Sequence, residues 1–211
     1  MVLGSGAAAE AAIIAAQGLP VGPPATAGAQ NDWDVDGAGT PDFTFSNFTT
    51  IGGGAKAWIH ERAGRFVATN ANVDGVGKLA TTFVVDGTLP TGFNFRVAGQ
   101  SSITVTSSSA IGADFSANWA MGNTGFVGFK FTEGSDTFYG WAKLEIDAAG
   151  AGSKGYGFQI TEAYYNNTPG GSIRVGATSD SAVPEPSAYA LALLAAGGVA
   201  AYRGRRKTPA A

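Results

Sequence analysis

Apolar residues between Asp42 and Val175 recur at every second position rather than every third or fourth. Phe43 and Phe45 alternate with threonine and serine before a slip to Phe48, Ile103 and Val105 alternate with Thr104 and Thr106, and Val127, Phe129 and Phe131 are separated by Gly128 and Lys130. A two-residue period puts alternate side chains on opposite faces of an extended chain, so each segment predicts a half-buried strand. Thr81–Val85, Gly92–Val97, Phe138–Asp147, Tyr156–Tyr164 and Ile173–Val175 are further strand segments, bounded by turn residues at Asp86-Gly87, Glu133-Gly134 and Ala148–Gly155. Glu133–Asp136 predicts a tight turn joining the Val127 strand to the Phe138 strand. No window of this body carries the 3.6-residue period of an amphipathic helix. Many short strands with turn signals every eight to twelve residues or so predict an all-β fold, an antiparallel β-sandwich of jelly-roll or lectin-like type.

The period ends at the C-terminus. Ala188–Ala201 is a run of fourteen apolar or small residues, preceded by Val183-Pro184-Glu185-Pro186-Ser187 and followed by Tyr202, Arg203, Arg205, Arg206 and Lys207. A stretch apolar on all sides leaves no face for water, which predicts a single C-terminal hydrophobic helix over 187–202, detached from the sandwich. It is shorter than the ~20 residues that span a hydrocarbon core, although interfacial Tyr202 and snorkelling arginines extend its reach as a short transmembrane helix. Cations placed directly after such a segment stay cytoplasmic and put everything before Pro184 on the far side of the membrane.

Composition narrows the chemistry. Glycine supplies 32 of 211 residues and charged residues only 14%, which disfavours long solvent-facing helices, while 11% aromatic residues are more apolar surface than a disordered chain carries. With no cysteine and the single histidine His60, disulfides, thiolate nucleophiles, zinc–sulfur sites and paired-histidine catalysis are excluded. Residues 1–185 hold nine of the thirteen cations and all sixteen anions. So acidic a body lacks the basic stripe that displaces phosphate counterions, and no nucleic-acid partner is expected.

Val183-Pro184-Glu185-Pro186-Ser187, the apolar run and Arg203-Gly204-Arg205-Arg206 together resemble the tail of PEP-CTERM proteins. The resemblance implies export across the inner membrane of a Gram-negative bacterium, cleavage of the tail by an exosortase-type membrane transpeptidase, and release or attachment at the cell surface, often where exopolysaccharide is made. Asp34–Phe43, Phe138-Tyr139-Gly140-Trp141, Glu162-Ala163-Tyr164 and Pro169–Ile173 with Gly176 are similar to blocks seen in one group of these proteins, a group whose members are largely without assigned activity.

Four aspartates form the one acidic cluster: Asp32, Asp34, Asp36 and Asp42. Alternate aspartates followed by glycine are how short loops wrap oxygen ligands around Ca²⁺, which makes calcium the one candidate cofactor. Counting from Asp32 places carboxylates at loop positions 1, 3 and 5 with Gly37 at position 6, but Phe43 occupies position 12; counting from Asp34 gives positions 1, 3 and 9, with Ala38 at the intervening ligand position. The alternative is an acidic turn stabilised by its own backbone hydrogen bonds. Trp33 beside these aspartates, with Trp58, Trp119, Trp141 and the pair Tyr164-Tyr165, supplies flat faces for stacking a sugar, or else fills the core. Glu145-Ile146-Asp147 resembles the Glu-x-Asp portion of laminarinase-like glycoside hydrolases, but Ala149 and Gly150 stand where that pattern has its acid/base. His60 reads as a surface imidazole. Gly75-Val76-Gly77 imitates a dinucleotide loop without a βαβ unit around it and reads as a turn.

The expected organisation is a segment over 1–11 that is either a truncated signal-peptide remnant or the beginning of the mature chain, a sandwich domain over 12–182 and a sorting tail over 183–211. The expected function is that of a non-catalytic, exported structural protein of the cell surface or extracellular matrix, associated with exopolysaccharide or biofilm and touching the inner membrane only through its tail. A lectin-like carbohydrate-binding module is the alternative, and a glycoside hydrolase a remote one.

Overall fold

The alternation around Val127 becomes the longest hairpin of the molecule, and the rest of the body is built out from it. The computed structural model describes residues 12–26, 28–49, 55–69, 72–96, 122–146 and 158–179. The readings for Ile103, Val105, Trp119 and Asp147, and for the helix and sorting tail beyond residue 182, lie outside them. The chain divides after Ser179, and only the first unit contains described residues. In chain order these form β1 (Ile13–Ala15), β2 (Gln30–Trp33), β3 (Phe43–Thr49), β4 (Ala55–Glu61), β5 (Arg65–Thr69), β6 (Asn72–Val76), β7 (Val84–Val85), β8 (Phe93–Phe95), β9 (Thr124–Glu133), β10 (Asp136–Ile146), β11 (Phe158–Asn166) and β12 (Ile173–Arg174). No helix occurs among the described residues, and none there is long and apolar enough to cross a membrane.

The β9–β10 hairpin turns where the sequence places it: Glu133 pairs with Asp136 across Gly134-Ser135, and Gly134 adopts the left-handed φ of 59° that a two-residue connection demands. Outward from this hairpin an antiparallel seven-stranded sheet runs β1-β11-β10-β9-β5-β6, with β8 also paired to β5. A separate meander makes the three-stranded sheet β2-β3-β4, and β7 pairs with β12. The glycine-rich stretch read as a turn is a correction: Gly75 and Val76 close strand β6, and Gly77 donates its N–H to Val67 O at 2.9 Å. Lacking β-branched alternation, β1, β2, β4 and β5 gave no strand signal of their own.

The large sheet is buried on both faces. On one, Trp33, Phe43, Phe45 and Ile59 of the three-stranded sheet join Phe66, Val127, Phe129, Phe131, Leu144 and Ile160 in one core. Ring centroids lie 4.6 Å apart for the tilted pair Phe43–Phe66, 5.4 Å for the stacked pair Trp33–Phe43 and 5.5 Å for the edge-on pair Trp33–Phe129, within the range of aromatic packing. On the other face Val67, Leu79, Val85, Tyr139, Trp141, Ile173 and Val175 pack together beneath the β7–β12 pair. Strand β11 serves the first core at both Ile160 and Ala163, three positions apart. It does so because the register with β10 shifts from Lys143↔Glu162 to Leu144↔Ile160, leaving Thr161 as the extra residue of a bulge that resets the alternation.

Candidate functional site

The loop from Asp34 to Asp42 links β2 to β3, and its own backbone ties its carboxylates down. Asp34 accepts the Gly37 N–H on Oδ1 at 2.8 Å and the Gly39 N–H on Oδ2 at 2.6 Å. Both donors are glycines at φ of 78° and 97°, a backbone that other residues rarely adopt. Asp36 Oδ1 accepts from Ala38 N at 3.0 Å, and Asp42 Oδ2 accepts from Val35 N at 3.0 Å. Gln17 clamps the loop from the side, donating its N–H to Val35 O at 2.9 Å and its Nε2 to Asp36 O at 3.0 Å.

One ligand oxygen from each of Asp34, Asp36 and Asp42 lies within 4.8 Å of the others. Asp32 is not in this group: it sits on β2 opposite Thr44 and accepts that hydroxyl at 2.6 Å. The geometry therefore selects the register that starts at Asp34. Burial pushes the Asp42 carboxyl up to about 7 against the lowering effect of the Val35 N–H, and the charges of Asp36, Asp34 and Glu133 add to the rise. Asp36 is raised by burial as well, with Asp34 and Glu133 contributing.

Beside the loop opens a cleft of about 320 Å³ lined by Asp36, Gly37, Ala38, Glu133, Phe138, Tyr165 and Asn167. Tyr165 is only 8% exposed and packs its ring edge-on against Phe131 and Phe138. Burial, followed by the charges of Asp36, Glu133, Asp34 and Asp42, raises its pKa.

The sugar-stacking expectation is corrected at Trp33. Its side chain is 1% exposed, the indole N–H donates to Gln17 O at 2.9 Å, and the ring is enclosed by Phe43, Phe45 and Phe129, so no face is left for a ligand. Strand alternation explains it: with Asp32 turned to Thr44, its neighbour Trp33 must face the core. Tyr164 is half-buried and stacks on Trp141 at 5.3 Å, and the Trp141 indole donates to Ala177 O at 2.8 Å. Tyr164 and Tyr165, as neighbours on β11, point to opposite cores and share no platform. Glu145 is held by Lys143 at 3.2 Å and by the Thr161 hydroxyl at 3.2 Å.

His60 is half-buried rather than a surface imidazole, with Nε2 2.8 Å from Ser46 Oγ; burial and the Arg62 charge lower its pKa. Ser46 is wholly buried and presents no nucleophile to solvent.

One charged pair has no sequence signal. Glu61 and Arg96 approach to 3.5 Å with side chains 1% exposed, joining the end of β4 to the residue after β8. Neither residue stands in a motif, and only the tertiary fold brings them together.

The model of the PEP-CTERM protein-sorting motif matches residues 182–207, the stretch that contains Val183–Ser187 and the cations from Arg203 to Lys207. No curated protein and no solved structure matches the chain.

Proposed function

We propose that this chain, which carries the PEP-CTERM sorting motif, is an exported structural protein of the cell surface or extracellular matrix whose tail is removed by an exosortase-type membrane transpeptidase. The motif match is the observation that carries the reading. Its parts divide the work: Val183–Ser187 is the processed segment, the fourteen-residue apolar run enters the inner membrane only weakly, and Arg203, Arg205, Arg206 and Lys207 hold the end on the cytoplasmic side. Ahead of it, the three-stranded and seven-stranded sheets form an antiparallel sandwich whose aromatic residues are spent largely on packing, which favours a non-catalytic matrix or exopolysaccharide-associated role over a lectin-like one.

Changing Pro184-Glu185-Pro186 to alanines is expected to leave export intact and to block tail removal. Immunoblotting and intact mass of the envelope and extracellular fractions check this: the variant should accumulate in the envelope at its full mass. Maturation of the variant at the parental rate would rule the sorting role out.

A further inference from the structure

Strand β1 (Ile13–Ala15) ends the seven-stranded sheet beside β11, and the two sides of its backbone are used differently. Even-numbered residues turn to β11. Asn167 donates its N–H to Ala12 O at 3.0 Å and Ala16 donates to Ala163 O at 2.9 Å, which puts Ile14, opposite Tyr165, in the same hydrogen-bonded set. Odd-numbered residues turn the other way, as Gln17 does in donating its N–H to Val35 O at 2.9 Å. Ile13 and Ala15 therefore direct their N–H and C=O outward, on the side where no further strand pairs among the described residues. Such edges are commonly guarded by charge. At the far end of the same sheet β6 carries Asp74, and the edges of the three-stranded sheet carry Asp32 on β2 and Lys56 and Glu61 on β4, whereas β1 reads Ile-Ile-Ala. Ile14 is also, among the described residues, the one large apolar side chain that is exposed, at 38%.

We propose that β1 is a self-association edge, on which β1 of a second copy of this chain pairs antiparallel about a two-fold axis at Ile14. The pairing joins the two seven-stranded sheets edge to edge. Backbone parity selects this register. Centring on Ile14 sets Ile13 opposite Ala15 of the second copy and Ala15 opposite its Ile13, so each outward N–H meets an outward C=O. The two Ile14 residues then form a non-hydrogen-bonded pair, the kind whose side chains come closest, with Cα atoms about 4.5 Å apart. Two identical uncharged strands bring no like charges into opposition. A ladder this short favours a strand that is already ordered: β1 of a second copy is held by its own β11, whereas a loose peptide would have to be fixed in place for the same few bonds. Gln17 is already engaged by Val35, which stops the ladder after Ala15. The interface therefore belongs to the small, weak class, with a Kd on the order of 10⁻⁴ M.

The test is sedimentation velocity of the full chain from about 10⁻⁵ to 10⁻³ M, where a monomer–dimer equilibrium should appear, together with disulfide trapping. The chain has no cysteine, so one placed by Ile14→Cys reports on the axis alone. A Cα separation of about 4.5 Å suits a disulfide, and Ile14→Cys should cross-link in air roughly tenfold faster than Ser135→Cys in the exposed β9–β10 turn. Ala15→Pro removes an outward N–H and leaves the bonds to β11 in place, so it should abolish the dimer and slow the Ile14→Cys cross-link to the control rate, with the Tm of the monomer shifted by no more than a few degrees. Ile14→Lys should likewise abolish the dimer. A chain that stays monomeric to about 10⁻³ M, cross-linking no faster than in Ser135→Cys, or association that survives Ala15→Pro would each overturn the proposal, the last by tracing association to another surface such as the apolar run over 188–201.

Discussion

Replacing Arg96 by methionine is expected to cost about 3–5 kcal/mol at pH 8, because it leaves the Glu61 carboxylate buried without its counter-charge. The same substitution should cost much less at pH 5, roughly 1–2 kcal/mol of lost packing, because a protonated Glu61 needs no partner. Glu61 is poised for this difference. Burial pushes its carboxyl up to about 7 in spite of Arg96, the Phe66 N–H and Arg65, and its Oε2 is buried with no hydrogen-bond partner. A carboxyl whose folded pKa lies above its unfolded value adds stability that is complete below the unfolded value near 4.5 and is lost as pH rises through about 7. The parent protein should therefore lose on the order of 1–3 kcal/mol from this group between pH 5 and pH 8, and Glu61→Gln should flatten that part of the profile. Urea unfolding at the two pH values checks both statements; an Arg96→Met cost independent of pH would show that Glu61 does not titrate there.

Gly140→Ala should destabilise the body by about 3 kcal/mol, the upper part of the range for overpacking a core. Gly140 lies directly across β9–β10 from Phe129, and a Cβ added there would come well inside 3.0 Å of the Phe129 ring. The ring cannot swing clear, because Trp33 at 5.5 Å, Phe43 at 6.1 Å and Phe131 at 6.4 Å enclose it. Phe129→Leu on its own leaves a cavity, whereas in the Gly140→Ala background it makes room for the new methyl. The double mutant should thus be more stable than the sum of the single changes predicts, by about 1–2 kcal/mol. Additive losses in a double-mutant cycle would mean that the glycine is required for some other reason.

How much of this could be read from the chain depends on how local the signal is. The Glu133–Asp136 turn and the β9 and β10 strands follow from a period of two and a glycine at the right place. Asp34, Asp36 and Asp42 share one loop by spacing alone, and the sorting motif is a linear string. The places of Asp32 and Trp33 depend on which face of β2 meets β3, a choice fixed by the pairing Asp32↔Thr44 rather than by their neighbours in sequence. The Thr161 bulge and the Glu61–Arg96 pair were illegible for the same reason: each exists only once strands distant in sequence are in register.

Strand β1 has consequences for the order in which an exported chain can be completed. Among the described residues it pairs with β11 alone, and Ala12 donates to Asn167 Oδ1 at 2.8 Å across 155 positions. The first of the described strands must therefore wait for almost the last, with all the loop-closure entropy that delay implies. Asn167 is followed only sixteen residues later by Val183, inside the matched sorting motif. On the proposed reading of the tail, the sheet is latched sixteen residues ahead of the segment to be cut, and a chain interrupted before β11 carries neither the partner of β1 nor the sorting motif.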